Sequence, residues 1–194
     1  MPYLAALHLF TINHATFELM FAMLSVATLL GTLFILVARL AYSSQPWAKN
    51  VIDEFTPIAL PLSAAITTTC MIGSLYFSEI VNYVPCRLCW FQRSMMYPLA
   101  IILLIATIRK SVSPSLRVVI VAMATIGASI STYHWLEERF PNLDSGVCDV
   151  KVPCSFVWFE RFGFVTLAFM AFTGFLATIV FSTLPKISTT QEQQ

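Results

Sequence analysis

Apolar residues in this chain fall in long unbroken runs rather than at strand or amphipathic-helix spacing. Leu19 to Ala38 is twenty residues without a charge, and Phe55 to Ser78 is twenty-four. Leu88 to Ile108 holds one charge, Arg93, in twenty-one residues. Val118 to Leu136 has no formal charge in nineteen, and Phe162 to Pro185 none in twenty-four. A helix rises ~1.5 Å per residue, so a ~30 Å hydrocarbon core takes roughly 20 residues. The runs therefore predict five membrane-spanning helices; the alternative is four, with the first run misread. No Lys or Arg precedes Arg39, and the first run exceeds the roughly 7–15 apolar residues of a cleaved secretory signal. It is expected to be a retained helix.

Composition agrees and excludes other classes. Apolar residues make up 58% and charged residues 11%, with mean hydropathy +0.78. Soluble domains run about 45–50% and about 25%. Such a chain is not disordered. Lys+Arg 11 against Asp+Glu 10 leaves +1, too little basic field to hold a nucleic acid.

Basic residues orient the runs, since short cytoplasmic loops collect Lys and Arg. Arg39 and Lys49 follow the first run, and the link between the third and fourth holds Arg109, Lys110 and Arg117. Both segments are expected in the cytoplasm and the N-terminus outside. The total is less decisive, with six basic residues inside, counting Lys186, and five outside. The short link carries more weight.

This topology puts Cys86 and Cys89 in one outer loop, Cys148 and Cys154 in another, and Cys70 inside a span. The outer side is where disulfides persist. Cys86-Arg-Leu-Cys89, preceded by Pro85, opens a helix, whose unpaired N–H groups and dipole stabilise a thiolate, the reactive form. Arg87 adds charge near the sulfurs, and Arg93 lies one turn below Cys89 on the same face. Plainer readings stand beside these. One is a zinc site made of the two pairs, although the 58 residues between them include two helices. Arg93 would snorkel to a headgroup, and Trp90, Phe91 and Tyr97 would be interfacial aromatics. Cys148 and Cys154, with five residues between them in a polar loop, form either a staple or an exposed, exchangeable disulfide. His134 is a proton relay or a polar cap, and Cys70 an inert packing residue.

The stretch Pro85-Cys86-Arg-Leu-Cys89-Trp-Phe-Gln-Arg93, with Met96-Tyr97-Pro98 after it, resembles the signature of the DsbB family of disulfide-forming membrane proteins, in particular its shorter BdbC-like branch. Tyr133-His134-Trp-Leu, Cys148 to Pro153-Cys154 and Gly163-Phe164-Val-Thr166 are similar to the family's second half. The likeness covers roughly residues 58–183. It departs in an N-terminal extra helix and in Leu167-Ala168, where a proline is common.

The resemblance implies an all-α integral membrane protein. Residues 1–55 would hold the extra transmembrane helix and a cytoplasmic linker, residues 56–185 a four-helix catalytic core, and residues 186–194 a polar cytoplasmic tail. It implies a quinone-dependent protein disulfide oxidoreductase of the bacterial cytoplasmic membrane, with both cysteine pairs on the extracytoplasmic side. Its partner would be a soluble or lipid-anchored thioredoxin-fold oxidase of DsbA or BdbD type, and its acceptor a membrane quinone, ubiquinone or menaquinone. No metal is expected. Cys148 would be attacked by the reduced partner, Cys154 would exchange with Cys86, and Cys89 would be the thiolate beside the quinone, with Arg93 binding the quinone. Two other classes are a membrane thiol reductase of the vitamin-K-epoxide-reductase-like type, which a cytoplasmic-facing cysteine pair would support, and a non-catalytic scaffold with structural disulfides.

Overall fold

A computed structural model of the chain describes residues 2–143, 146–148 and 152–184, with side chains from residue 14 onward. The expected tail 186–194, with Lys186, lies outside the described residues.

Among the described residues five α-helices make up the fold: α1 (Pro2–Leu40), α2 (Pro46–Leu75), α3 (Arg87–Arg109), α4 (Pro114–Arg139) and α5 (Leu167–Ser182). α2 widens into a π-helical turn over Tyr76–Ile80, and a 3-10 turn, Pro141–Leu143, follows α4. α1 from His14, α2 with its π turn, α3 and α4 are each long and apolar enough to cross a membrane.

α5 is shorter than the apolar run suggested. Its 16 residues rise about 24 Å. The run from Phe162 does not begin as helix, because Arg161 and Val165 exchange backbone hydrogen bonds of 2.9 Å in both directions. Phe162 and Gly163 turn between them at φ 55° and 75°, and the Gly163 position is one that glycine adopts without Cβ strain. Thr166 then caps α5, its hydroxyl accepting from the Phe169 N–H at 3.3 Å. α4 is longer than its run: Ser113 caps it and Pro114 occupies its first position.

α2, α3, α4 and α5 pack in a ring, each against the next and α5 back against α2, while α1 packs on α5 and α2. Large apolar side chains such as Leu30, Ile108 and Val118 point outward. The interior uses small and hydroxylic residues, as expected where lipid supplies no hydrophobic drive between helices. Ser63 donates to the Ala59 carbonyl (2.8 Å), Thr67 to Ser63 (2.9 Å) and Thr178 to Gly174 (2.8 Å), so their hydroxyls are satisfied within their own helices. Phe175 of α5 packs where a Cβ on Gly127 of α4 would stand, so these helices meet closely only because Gly127 has none.

The connections sort into two ends. At one, Arg39 donates to the Thr183 hydroxyl and Arg117 to the Leu184 carbonyl (3.1 Å), closing the bundle around residues 41–45 and 110–113. At the other, the α2–α3 and α4–α5 connections meet and carry both cysteine pairs.

Candidate active site at the cysteine-bearing end

Cys86 is the N-cap of α3. Its backbone is extended (φ −72°, ψ 174°), and its sulfur accepts the Cys89 N–H at 3.3 Å, one of the donors a helix start leaves unpaired. The Cys86 and Cys89 sulfurs lie 2.7 Å apart as a hydrogen-bonded thiol pair. The hydrogen bond from Cys89 is the main cause that holds the Cys86 thiol down to about 4. Burial works against it, and His134, whose Nε2 is 3.6 Å from the sulfur, lowers it further.

Cys148 and Cys154 are joined in a disulfide with Cα atoms 5.8 Å apart. Of the exposed disulfide expected there, one sulfur is in fact buried. Cys154 is 1% exposed and packs with Cys86 and Leu88, while Cys148 is only half-buried. The loop is drawn in because Arg87, at the start of α3, donates to the Val147 carbonyl (3.1 Å), and because Tyr133 donates to the Leu143 carbonyl (2.9 Å). Residues 149–151, between the two sulfurs, lie outside the described residues. Arg87 thus ties the two loops together.

The result is a close junction. The Cys86 sulfur, the Cys154 sulfur and a His134 ring nitrogen all lie within 4.8 Å of one another. His134 is buried; its Nε2 is 3.2 Å from the Cys154 carbonyl and its Nδ1 3.1 Å from the Gln92 amide. The neighbouring Glu138 carboxylate stands 4.0 Å from His134 and accepts the Thr166 hydroxyl at 2.6 Å. Glu137, also buried, brings a carboxylate oxygen within 4.8 Å of both Cys148 and Cys154 sulfurs. His134 is therefore at the sulfurs rather than at an interface.

Beside Cys89 lies a cavity of about 250 Å³ with mostly apolar walls. Cys89 lines it and Cys86 does not; Gln92, Arg93 and Tyr97 of α3 line it too, one or two turns deeper. Arg93 has a defined seat: Nε donates to the Ser74 hydroxyl (2.9 Å), Nη2 to the Ser74 carbonyl (3.0 Å), and the guanidinium lies over Trp90 at 5.3 Å. Tyr97 donates to the Ser74 hydroxyl at 3.2 Å, so it serves the cavity wall and not a lipid boundary. Trp90 and Phe91 are exposed, as interfacial aromatics would be. Cys70 is a free thiol in the cavity wall, packed among apolar side chains.

An aromatic and ionic cluster roofs this end. Tyr83 stacks on Trp158 (4.7 Å, 15°) and on Phe77 (5.8 Å, 3°). Its hydroxyl donates to Glu18 of α1 at 2.7 Å, and the other Glu18 oxygen pairs with Arg161 at 2.7 Å. Burial first, and the bond to Glu18 second, push the Tyr83 phenol above its usual value.

Sequence reasoning did not single out Glu18, Ser74, Gln92 or Glu138. Glu18, Ser74 and Gln92 sit 19 or more positions from the side chains they bond, and Glu138, although one turn from His134, reaches Thr166 28 positions on, so no local pattern marked them.

Comparison with known proteins agrees with this end of the molecule. The family described as "Disulfide bond formation protein DsbB" matches residues 56–153. Disulfide bond formation protein C of Bacillus subtilis (strain 168) is 43% identical over 131 residues, which cover 66% of this chain and 93% of that protein. A probable disulfide formation protein of Oceanobacillus iheyensis is 42% identical over 112 residues, 57% of this chain and 76% of the relative. One from Halalkalibacterium halodurans is 43% identical over 117 residues, 60% and 84%. No solved structure matches the chain. Half the chain is matched, and the matched part mounts the Cys-x-x-Cys on a helix mouth within a multi-pass bundle; the chain belongs to the DsbB family of disulfide bond formation proteins and is a membrane disulfide oxidoreductase.

Proposed function

We propose that this chain re-oxidises an extracytoplasmic thioredoxin-fold partner, of DsbA or BdbD type, and passes the two electrons to a membrane quinone. Residues 56–185 would be the catalytic core, in a bacterial cytoplasmic membrane. The observation that carries the reading is the sulfur junction. The half-exposed Cys148 is bonded to buried Cys154, whose sulfur lies within 4.8 Å of Cys86, and Cys89 beyond it lines the cavity. A water-side reductant and a lipid-side oxidant thus have separate entrances.

The exchange steps follow from this order. A partner thiolate attacks Cys148, breaking the Cys148–Cys154 bond and leaving a mixed disulfide and a Cys154 thiolate. The partner's second thiolate then attacks its own bridged sulfur; the partner leaves oxidised, and Cys148 and Cys154 are reduced. Cys154 next attacks Cys86 of an oxidised Cys86–Cys89 pair and displaces Cys89 as thiolate. Cys148 attacks Cys154, the loop disulfide re-forms and Cys86 is released. The helix pair is now the dithiol and the loop pair the disulfide, the same redox arrangement the structure holds. Bonds to Cys86 from Cys89 and His134 stabilise it as the leaving thiolate.

The chemistry of the cavity supports a quinone: mostly apolar walls, with the Cys89 sulfur and the Arg93 guanidinium among the groups that line it. When bound, a quinone supplies an acceptor for two electrons and two protons. Cys89 and Arg93 would hold its head, the planar cation facing oxygen that gains negative charge. The relatives' names support a role in forming disulfides, here in exported proteins.

The decisive experiment is quinone reduction by the purified protein supplied with a reduced thioredoxin-fold oxidase. Stoichiometric quinol and oxidised partner are expected; partner oxidation without quinol would remove the acceptor. For sidedness, an impermeant thiol reagent on intact cells should label reduced Cys148 or Cys154 and miss a Ser113→Cys probe. Labelling of the probe alone would invert the orientation.

A further inference from the structure

The cavity beside Cys89 has a wall that the four-helix core does not supply. Phe21, Leu24, Ser25 and Thr28 of α1 line it together with residues of α2, α3 and α5. The family match begins at residue 56, so α1 lies wholly outside it. Nor is α1 loosely laid on the bundle. The Ser25 hydroxyl is 3.0 Å from that of Thr173 on α5, buried at cavity level. Above it Glu18 accepts from Tyr83 and pairs with Arg161, both at 2.7 Å. Tyr83 stands three residues before Cys86, and Arg161 seven after Cys154. One carboxylate therefore joins α1 to both cysteine-bearing connections.

We propose that α1 is an acceptor-site wall, which sets how tightly the quinone is held, and that Glu18 is the positioning residue that keeps this wall against both catalytic loops. The inference rests on the reading that the cavity takes a quinone. An added ring on the inner face of α1 would occupy ligand space, whereas the same ring on its outer face would meet lipid. Glu18 acts at a distance: without its charge, Arg161 and Tyr83 lose their common partner and the wall is less firmly seated.

The test uses the full-length protein in lipid nanodiscs with decyl-ubiquinone as probe. Binding is read at equilibrium by quenching of tryptophan fluorescence, since Trp158 lines the cavity. Thr28→Phe should raise the dissociation constant on the order of ten-fold. The rate at which reduced partner opens Cys148–Cys154 without quinone should not change. Leu30→Phe, on the lipid-facing side, should leave both unchanged. Glu18→Gln should weaken binding by a smaller factor, with Glu18→Asp restoring part of it. An azido-quinone photolabel on the wild type should mark the stretch from Phe21 to Thr28, which decides the matter should Thr28→Phe not fold. An unchanged dissociation constant in folded Thr28→Phe, or label confined to α2 and α3, overturns the role of α1. A wild type that binds no decyl-ubiquinone would instead sink the quinone reading itself.

Discussion

The two cysteine pairs sit at the same end of the bundle but are held by different means. Cys86 and Cys89 belong to the first turn of a long helix, so backbone geometry alone fixes their spacing and points N–H donors at sulfur. Cys148 and Cys154 lie in an irregular connection that owes its position to side chains from elsewhere: Arg87 on Val147, Tyr133 on Leu143, and the packing of Cys154 on Cys86. A helix-borne pair can be poised to one side of a cavity. A loop-borne pair can offer one sulfur outward and one inward. In the relay we propose, the helix-borne pair serves the acceptor side and the loop-borne pair the partner side.

The sharpest way to break this comparison is to remove sulfurs one at a time. Ser at Cys86, Cys89, Cys148 or Cys154 should each abolish quinone-coupled turnover. The variants should also fail differently. Cys89→Ser leaves Cys86 free to attack the neighbouring Cys154 sulfur, so non-reducing peptide mapping should find a Cys86–Cys154 bond with Cys148 free. Finding no cross-loop disulfide would mean that the two pairs do not communicate through this junction.

Arg93→Ala comes next and should touch only the cavity side. A lost charge-assisted hydrogen bond is worth roughly 1.5–3 kcal/mol, so the quinone KM should rise on the order of ten- to a hundred-fold. Partner exchange at Cys148 should be spared. Lys should rescue in part, as it keeps charge without the planar fork that spans the Ser74 hydroxyl and carbonyl. An unchanged KM with lower protein yield would make Arg93 a packing residue.

A pH profile sharpens the difference between a helix-mouth thiol and an ordinary one. A thiol held down to about 4 is already thiolate above that value, so Cys86 alkylation should stay flat from about pH 5 to 8 and fall as pH drops through about 4. An ordinary thiol would gain about ten-fold per pH unit over that range. His134→Ala removes one of the bonds to Cys86 and should move the fall to higher pH. Mass mapping of the first cysteine alkylated in the reduced helix pair measures it. A ten-fold rise per unit in the wild type would show that the bonds from Cys89 and His134 do not activate Cys86.

The smallest effect is expected for Cys70→Ser. The Cys70 thiol lines the cavity without belonging to either pair, so turnover per folded molecule should stay within about two-fold, any cost of the buried hydroxyl falling on stability instead. Loss of activity there would mean that the relay has been drawn through the wrong sulfurs.

The sequence by itself determined the membrane class and the reactive motif, because both are written locally. A run such as Leu19 to Ala38 has no solvent but lipid or a core, and Cys86-Arg-Leu-Cys89 carries its spacing in four adjacent residues. The helix-five boundary was less legible, since Phe162 to Thr166 is as apolar as the helix it precedes and only the Gly163 turn sets it apart. What tertiary structure alone decided was proximity. Glu18 and Arg161 stand 143 positions apart, Cys86 and His134 48, and Arg93 and Ser74 19. An apolar run fixes that a helix crosses, but lipid is as apolar on every side, so hydropathy cannot say which faces meet. Close fits such as Gly127 under Phe175, and a few polar bonds such as Ser25 with Thr173, make that choice. In doing so they bring Cys154 to Cys86 and set α1 against the cavity.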